Sequence, residues 1–169
     1  QVHGGMGFVE ETGAAQFARD VRVTAIYEGT NGIQAMDLVA RKMMDGGEAA
    51  YRLLDEIEAQ AEEARETLPE LAGAVWSAAE GLRETTEWLV AQDLHQRFGG
   101  ATPYLRAFAR VLGAHYHLKA AIAEEGESAR TALAQFYITR LLPEHDALLA
   151  AVREGSDGLY DLSPDDLAA

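Results

Sequence analysis

Residues 103–125, PYLRAFARVLGAHYHLKAAIAEE, contain the clearest helical pattern of the chain. Within this stretch, mainly apolar and aromatic side chains recur every three or four residues: Tyr104, Phe108, Val111, His115, Leu118 and Ile122. A period near 3.6 residues places all of them on one face of an α-helix. Such a face is stable only when it is buried, so this helix is predicted to pack against other helices.

Similar patterns lie on both sides of this stretch, and proline or glycine marks the ends of the periodic segments. They predict helices over residues 48–68, 70–98 and 128–142. Pro143 either kinks the last of these helices or begins a fifth segment that ends near Glu154. Amphipathic helices joined by short breaks are typical of an up-and-down bundle, so the predicted fold class is all-α.

The first 44 residues have a different character. Glycine is frequent in residues 1–8, and a short helix is predicted within residues 11–22, with Thr12 as its cap. The stretch VTAIYEGTN, residues 23–31, is predicted to be an extended connector that ends in a turn. A second helix follows and ends at Asp45-Gly46-Gly47, which is the predicted boundary between a segment 1–44 and a bundle 45–169.

The net charge is −14, from 28 acidic and 14 basic residues. Residues 1–44 contain five acids and four bases, so nearly all of the negative charge lies in residues 45–169. A surface this acidic argues against a nucleic-acid partner. No stretch approaches the ~20 apolar residues of a membrane span. The absence of cysteine is typical of a reducing compartment, and a cytoplasmic protein is expected.

The stretch AIYEGTNGIQ, residues 25–34, places one carboxylate, Glu28, between an apolar run and a glycine-rich turn. Taken alone, this acid is typical of a glutamate on a surface turn, and Thr30 and Asn31 are typical of helix caps. The opening QVHGGMGF, residues 1–8, is by itself typical of a flexible loop. Its glycine spacing does not match a dinucleotide-binding fingerprint.

In combination, these motifs resemble the C-terminal helical domain of the acyl-CoA dehydrogenases. The resemblance rests on QVHGGMGF at 1–8, Arg19-Asp20, and IYEGTNGIQ at 26–34, and it covers residues 1–44. Residues 45–169 are similar, in length and helical pattern, to the additional domain that follows the catalytic core in a longer subgroup of the family. The resemblance implies the end of the catalytic helical domain in 1–44, followed by an additional up-and-down helical bundle in 45–169.

In this family, the glutamate of the YEGT motif is the general base. It removes the α-proton of an acyl-CoA thioester while the β-hydride passes to N5 of FAD, which gives a 2-enoyl-CoA. The resemblance therefore implies that Glu28 is the base and that FAD is the cofactor. A carboxylate of ordinary pKa, about 4.3, is a weak base. Apolar surroundings such as Ile26 and the acyl chain are expected to raise the pKa of Glu28.

The resemblance also implies the residues that bind substrate and cofactor. Gly29 matches the position where the backbone approaches the substrate, which a residue without Cβ permits. Thr30, Asn31 and Gly32 match the positions that meet the FAD diphosphate at a helix N-terminus. One further group is expected to contact the ADP half of an FAD bound mainly by the other subunit of a dimer: Gln1, Val2, His3, Gly4 and Gly5.

The partners implied by the resemblance are an acyl-CoA substrate, an electron-transfer flavoprotein as acceptor, and other copies in a homo-oligomeric parent enzyme. The chain begins with Gln1, and the domains that hold most of the flavin and CoA surroundings in this family would lie before it. The chain alone is therefore expected to be a catalytically inactive fragment. The alternative is a non-catalytic acidic helical module that serves oligomerisation or covers an active site.

Structural roles are predicted for the other residues that could carry chemistry. His115 lies on the apolar stripe of its helix and His117 does not, so the two imidazoles face different ways. A metal site needs more ligands on one face, and none is expected here. His115 is expected to be a hydrogen-bonded core histidine, and Arg19 and Asp20 are expected to hold the local structure.

Overall fold

The structure, a computed structural model, describes residues 1–27, 29–124 and 128–168. Within these ranges the chain forms α-helices and short 3-10 turns and contains no β-strand, which confirms the predicted all-α fold. The chain divides into two compact units, residues 1–34 and residues 35–169. In chain order the helices are α1 (Ala14–Arg22), α2 (Asn31–Val39), α3 (Glu48–Ala64), α4 (Pro69–Ala91), α5 (Leu94–Gly99), α6 (Ala101–Ile122), α7 (Ala129–Arg140), α8 (Glu144–Arg153) and α9 (Pro164–Leu167).

The first unit is held together by polar contacts rather than by a core. The guanidinium of Arg19 on α1 donates two hydrogen bonds to the carboxylate of Glu10, at 2.8 and 2.9 Å. Arg19 therefore has the structural role predicted for it. Thr12 does not serve chiefly as a helix cap, since its hydroxyl donates to the carbonyl of Met6 at 2.7 Å and ties α1 to the glycine-rich turn.

The predicted extended connector after α1 is wrong over its first residues. Val23–Ala25 forms one turn of 3-10 helix, and the carbonyl of Val23 accepts from the N–H groups of Ile26 and Tyr27 at 2.9 and 3.0 Å. β-branched residues favour strands only where a neighbouring strand can pair with them. Here the local backbone hydrogen bonds decide the conformation instead.

In the second unit, α4 and α6 form the centre of a helical bundle. Helix α4 packs against α3, α6 and α8, and α6 packs against α7 and α8 as well. The stripe on α6 that the sequence predicted is largely buried: Tyr104, Val111 and Leu118 have no exposed surface, and His115 is nearly covered. Ile122, at the last turn of α6, is 38% exposed, so the buried part of the predicted stripe ends before it.

The long helix predicted over residues 70–98 is two helices in the structure. Helix α4 ends at Ala91, and the carboxylate of Asp93 accepts from the N–H groups of His95 and Gln96 at 2.9 and 3.0 Å, which begins α5. Asp93 is thus an N-cap, whose side chain replaces the backbone acceptors that a continuous helix would supply. The guanidinium of Arg97 then donates to the carbonyl of Val90 at 2.6 Å and satisfies the end of α4.

Other helix ends also differ from the predictions. Helix α3 ends at Ala64, four residues before the predicted end, because Pro69 disfavours helical geometry in the residue before it and begins α4. Helix α6 begins at Ala101, so Pro103 lies inside its first turn, where no backbone donor is needed. Of the two alternatives at Pro143, the structure has a separate helix, α8, which begins at Glu144.

The buried polar side chains of Tyr104, Thr86 and His115 are all hydrogen-bonded. The hydroxyl of Tyr104 lies 2.8 Å from that of Thr86, which itself donates to the carbonyl of Leu82 at 2.7 Å. His115 lies beside Gln60 of α3, whose amide, in the orientation that satisfies both ends, donates to Nδ1 of His115 at 2.5 Å. His115 is therefore a satisfied core histidine, as predicted. Burial lowers its pKa, and the charge of Lys119 acts in the same direction.

The junction of α5 and α6 touches the end of α8 directly, backbone against backbone. A Cβ placed on Gly99 would lie 2.2 Å from the carbonyl oxygen of Gly155, and one on Gly100 would lie 2.8 Å from that of Val152. The side chain of Gln96 adds a second tie, since its amide oxygen accepts from the N–H of Ser156 at 2.9 Å. Only residues without a side chain permit this approach.

We expect Gly99→Ala to destabilise the second unit by about 1–3 kcal/mol or more, because the new methyl group meets backbone that cannot move aside cheaply. The matched control is Gly73→Ala in α4, where a Cβ meets no atom within 4 Å. The control should be neutral or stabilising by up to about 1 kcal/mol, since alanine favours helix. Urea unfolding measures both; equal stability of the two variants would contradict the close approach.

The lowered pKa of His115 predicts a pH-dependent stability. The unfolded chain protonates this histidine near its ordinary pKa of about 6.5, whereas the folded core resists the charge. Stability should therefore fall as the pH decreases below about 6.5 and should not depend on this group at higher pH. His115→Gln should reduce the slope of unfolding free energy against pH between about 5 and 7. His117→Gln keeps the core histidine and is expected to keep the slope.

Candidate functional site

The turn before α2 is the best-defined part of the predicted site. Gly29 has a φ of +105°, which strains any residue with a side chain. A Cβ at this position would also lie 3.1 Å from Cγ2 of Ile33 in the first turn of α2. The backbone therefore requires glycine here, and the turn leads the chain directly into the helix.

Thr30 caps α2. Its hydroxyl accepts from the N–H of Ile33 at 3.4 Å, and its carbonyl accepts from the N–H of Gln34 at 3.0 Å. This is the capping interaction expected of a threonine at this place, and it leaves the hydroxyl at the helix N-terminus. The structural role does not exclude contact with a ligand, because Thr30 is exposed.

Asn31 and Gly32 form the first turn of α2, where backbone N–H groups have no partner within the helix. The positive end of the helix dipole lies at the same place, and the first turn contains no acidic side chain. Both residues are exposed. With Thr30, they form a helix N-terminus of the kind that binds phosphate groups.

Glu28, the predicted base, lies outside the described residues. The residues before it are described: the side chains of Ile26 and Tyr27 are 58% and 57% exposed. Both side chains are therefore accessible to an acyl chain or to another part of a longer protein. A carboxylate on this turn needs further apolar cover before it becomes an effective base.

The opening segment forms a compact glycine-rich turn. Residues Gly4–Gly7 make one turn of 3-10 helix, Gly4 has a φ of +58°, and its N–H donates to the carbonyl of Gln1 at 2.9 Å. The five residues predicted to contact FAD, Gln1 to Gly5, are all exposed. Their backbone is thus locally ordered and accessible, as a segment that contacts a separate molecule must be.

Each of the two candidate segments, residues 1–8 and the turn before α2, has local hydrogen bonds of its own. Sequence reasoning missed two contacts of the first unit: the hydroxyl of Thr12 donates to the carbonyl of Met6 in the opening turn, and the carboxylate of Glu10 accepts from Arg19 of α1. For the second contact, the sequence offered one indication, an acid and a base in the same mixed-charge stretch. Nothing in the sequence indicated the contact between Thr12 and Met6.

Among the described residues, no helix is both long and apolar enough to cross a bilayer. Nor do those residues group three or more histidines or acids in a way that could hold a metal ion.

Two family models match the chain. The model described as "Acetyl-CoA dehydrogenase C-terminal like" matches residues 53–163, and the one described as "Acyl-CoA dehydrogenase, C-terminal domain" matches residues 1–44. The first covers more than half of the chain, and the second covers both candidate segments.

Characterised relatives agree with these matches. The chain is 39% identical over 144 residues to a 3-methylmercaptopropionyl-CoA dehydrogenase of Ruegeria pomeroyi, covering 80% of this chain and 24% of the relative. It is 48% identical over 58 residues to a butyryl-CoA dehydrogenase of Syntrophomonas wolfei, covering 34% of this chain and 10% of the relative. It is 43% identical over 47 residues to the rat very long-chain specific acyl-CoA dehydrogenase, covering 28% and 7%.

The described residues are all-helical, and the sequence matches the C-terminal domains of acyl-CoA dehydrogenases over residues 1–44 and 53–163. The chain belongs to the acyl-CoA dehydrogenase family. It spans about a quarter of the length of the Ruegeria relative and a tenth or less of the other two.

Proposed function

We propose that this chain is the C-terminal part of an FAD-dependent acyl-CoA dehydrogenase that converts an acyl-CoA thioester into a 2-enoyl-CoA. The observation that carries the proposal is the turn at Gly29 and Thr30, which opens an N-terminal anion site on α2 within the segment that matches the family. The names of the relatives, all dehydrogenases of CoA thioesters, support the same reaction class.

Glu28 is proposed as the general base. In the sequence it follows the apolar Ile26 and Tyr27 and precedes Gly29, whose positive φ requires glycine. In the reaction, this carboxylate removes the α-proton of the thioester. An acyl chain bound against Ile26 and Tyr27 would exclude water from the carboxylate and raise its pKa towards the range that a general base requires.

FAD fits the exposed helix N-terminus. The hydroxyl of Thr30 and the backbone N–H groups of Asn31 and Gly32 would hold the diphosphate, which is the anionic part of the cofactor. When bound, FAD accepts the hydride from the β-carbon of the substrate. Gly29, without a side chain, lets the substrate approach this backbone closely.

The opening turn is proposed to contact the ADP half of an FAD bound mainly by a second subunit. The exposure of Gln1, Val2, His3, Gly4 and Gly5 supports this role. A contact with FAD bound by a second subunit requires a homo-oligomeric parent enzyme. An electron-transfer flavoprotein is proposed as the acceptor that reoxidises the flavin.

We propose two functional regions: residues 1–44, which carry the base and the FAD contacts, and residues 45–169, an additional helical bundle. The spans of the two family models support this division. The compact units divide at residues 34 and 35, because Ala35, Val39 and Met43 are buried in the core of the bundle. The end of the first region therefore serves the bundle structurally.

The isolated chain is proposed to be catalytically inactive. Catalysis requires base, flavin and substrate in near-attack geometry. Of the candidate residues that the structure describes, the five from Gln1 to Gly5 and the three from Thr30 to Gly32 are exposed, so each forms only a part of such a site. The alternative function is a non-catalytic acidic module, which the separate, well-packed core of the bundle favours. Removal of residues 45–169 from a longer parent would then change oligomeric state or stability more than chemistry.

The first test is a fluorescence titration of FAD with the purified chain. We expect no saturable binding at about 10–50 micromolar chain, because an exposed helix N-terminus supplies only a part of a dinucleotide site. Saturable one-to-one binding would contradict the proposal that this chain is incomplete, and acyl-CoA oxidation by the chain would then have to be measured directly.

The second test concerns Glu28 and requires the longer parent protein loaded with FAD. Glu28→Gln keeps the size of the side chain and removes the base, so acyl-CoA oxidation should fall by at least about 10³-fold while FAD remains bound. Glu11→Gln, an exposed acid of the same unit, should leave the rate unchanged. A Glu28→Gln enzyme that retains the wild-type rate would exclude the assignment of the base.

A further inference from the structure

The guanidinium of Arg97, on α5, contacts the ends of two other helices. Its Nη2 donates to the carbonyl of Val90 at 2.6 Å and its Nε donates to that of Gln92 at 2.9 Å, both at the C-terminal end of α4. Its Nη1 donates to the carbonyl of Val39, the last residue of α2, at 3.4 Å. One partly buried side chain therefore joins the end of α2 to the end of α4.

Both helix ends need what this side chain supplies. The last four carbonyls of an α-helix have no partner within the helix, and they form the negative end of its dipole. Val39 has no exposed surface, so water does not reach its carbonyl, and a buried carbonyl needs a donor from the protein. A guanidinium has five N–H donors in a planar fork and a positive charge, which is favourable at the C-terminal end of a helix.

The charge of Arg97 is directed at these helix ends and not at an acid. The chain has 28 acidic and 14 basic residues, yet no carboxylate of the described residues forms an ion pair with Arg97. Arg83 on α4 shows the usual alternative, since its guanidinium is held by the carboxylates of Asp55 and Glu58 on α3. The contacts of Arg97 are thus contacts with the backbone of helix ends.

Helix α2 is short, so it depends on contacts outside itself. It has nine residues, fewer than the roughly 12–15 that an isolated helix needs to be marginally stable in water. Its buried residues, Ala35 and Val39, both lie in its second half and belong to the core of the bundle. The hydrogen bond from Arg97 adds a tie at the residue where the helix ends. Loss of this tie is expected to fray α2 from its C-terminal end.

We propose that Arg97 is a positioning residue for the site at the N-terminal end of α2. Helix α2 continues without a break to Val39, and its first turn contains the N–H groups of Asn31 and Gly32. These groups bind an anion only while the helix that aligns them is formed. Arg97 touches neither cofactor nor substrate and acts through α2. This role rests on the FAD contact proposed above for that turn, and it gives the additional bundle a part in flavin binding.

Hydrogen exchange of the purified chain, followed by NMR, tests the tie without any cofactor. Arg97→Met keeps an unbranched apolar stem and removes the donors and the charge. Exchange of the amides of residues 35–40 should therefore become at least about fivefold faster, because the buried carbonyl at the end of α2 loses its donor. Amides in the middle of α6 should change less. Unchanged exchange in α2 would overturn the proposal.

The matched control is Gln96→Met, one residue earlier on α5. The side chain of Gln96 accepts from the N–H of Ser156 at 2.9 Å and donates to the carboxylate of Asp157 at 3.1 Å, and neither partner belongs to α2. Exchange of the α2 amides should therefore stay as in the wild type. Equally fast exchange in both variants would mean that α5 as a whole holds α2, and it would overturn the assignment to Arg97.

A milder variant, Arg97→Lys, decides the question if Arg97→Met does not fold. Lysine keeps the positive charge near the helix ends, but its single ammonium group does not reproduce a planar fork that reaches two helices at once. Circular dichroism should show the helical content of the wild type, and the α2 amides should still exchange faster than in the wild type. Wild-type exchange in the folded lysine variant would overturn the proposal.

Flavin release from the longer parent protein tests the positioning role itself, because a role confined to the bundle would leave it unchanged. Arg97→Lys should speed release at least about fivefold, whereas Gln96→Met should not. Thr30→Val removes a hydroxyl of the proposed site and separates the two proposals. Faster release from Thr30→Val, with wild-type release from Arg97→Lys, would overturn the positioning role alone. Wild-type release from both would overturn the FAD contact proposed for α2, and the positioning role with it.

Discussion

The second unit depends on the two central helices, α4 and α6, which also pack against each other. Helices α3, α7 and α8 each cover a side of one or both of these two, and no other pair meets as many neighbours. The contact is made specific by a buried polar pair, Thr86 near the C-terminal end of α4 and Tyr104 in the first turn of α6, whose hydroxyls lie 2.8 Å apart. A buried hydroxyl is costly unless it finds a partner, so this pair favours one alignment of the two helices over others.

Helix α2 has two roles along its nine residues. Its first turn, at Thr30 and Asn31, belongs to the first unit and provides the helix N-terminus that an anion requires. Its second half buries Ala35 and Val39 in the bundle core. The carbonyl of Val39 also accepts from the guanidinium of Arg97, at 3.4 Å. Burial of this half supplies the free energy that keeps a short helix folded, since an isolated helix of this length is unstable in water.

Charge and apolar surface are distributed unequally over the bundle. Helices α3 and α4 contain ten acidic residues between them, and most of these are exposed, where they keep the surface hydrated. Helix α7 is at the edge of the bundle, has no acid, and exposes Leu133 and Phe136.

The sequence by itself determined the all-α class, the positions of the main helices and the family. Periodicity reports which face of a helix is apolar, and motifs such as YEGTNGIQ report local chemistry. It did not predict the break before Asp93, although Asp93 followed by Gln96 is a capping pattern, because the apolar period continues across the break. Only the tertiary structure decided that Gly99 lies against Gly155, that Gln60 satisfies His115, and that Phe136 is exposed. The physical reason is that each of these features depends on whether a residue distant in the sequence packs against the position. A local sequence pattern does not contain that information.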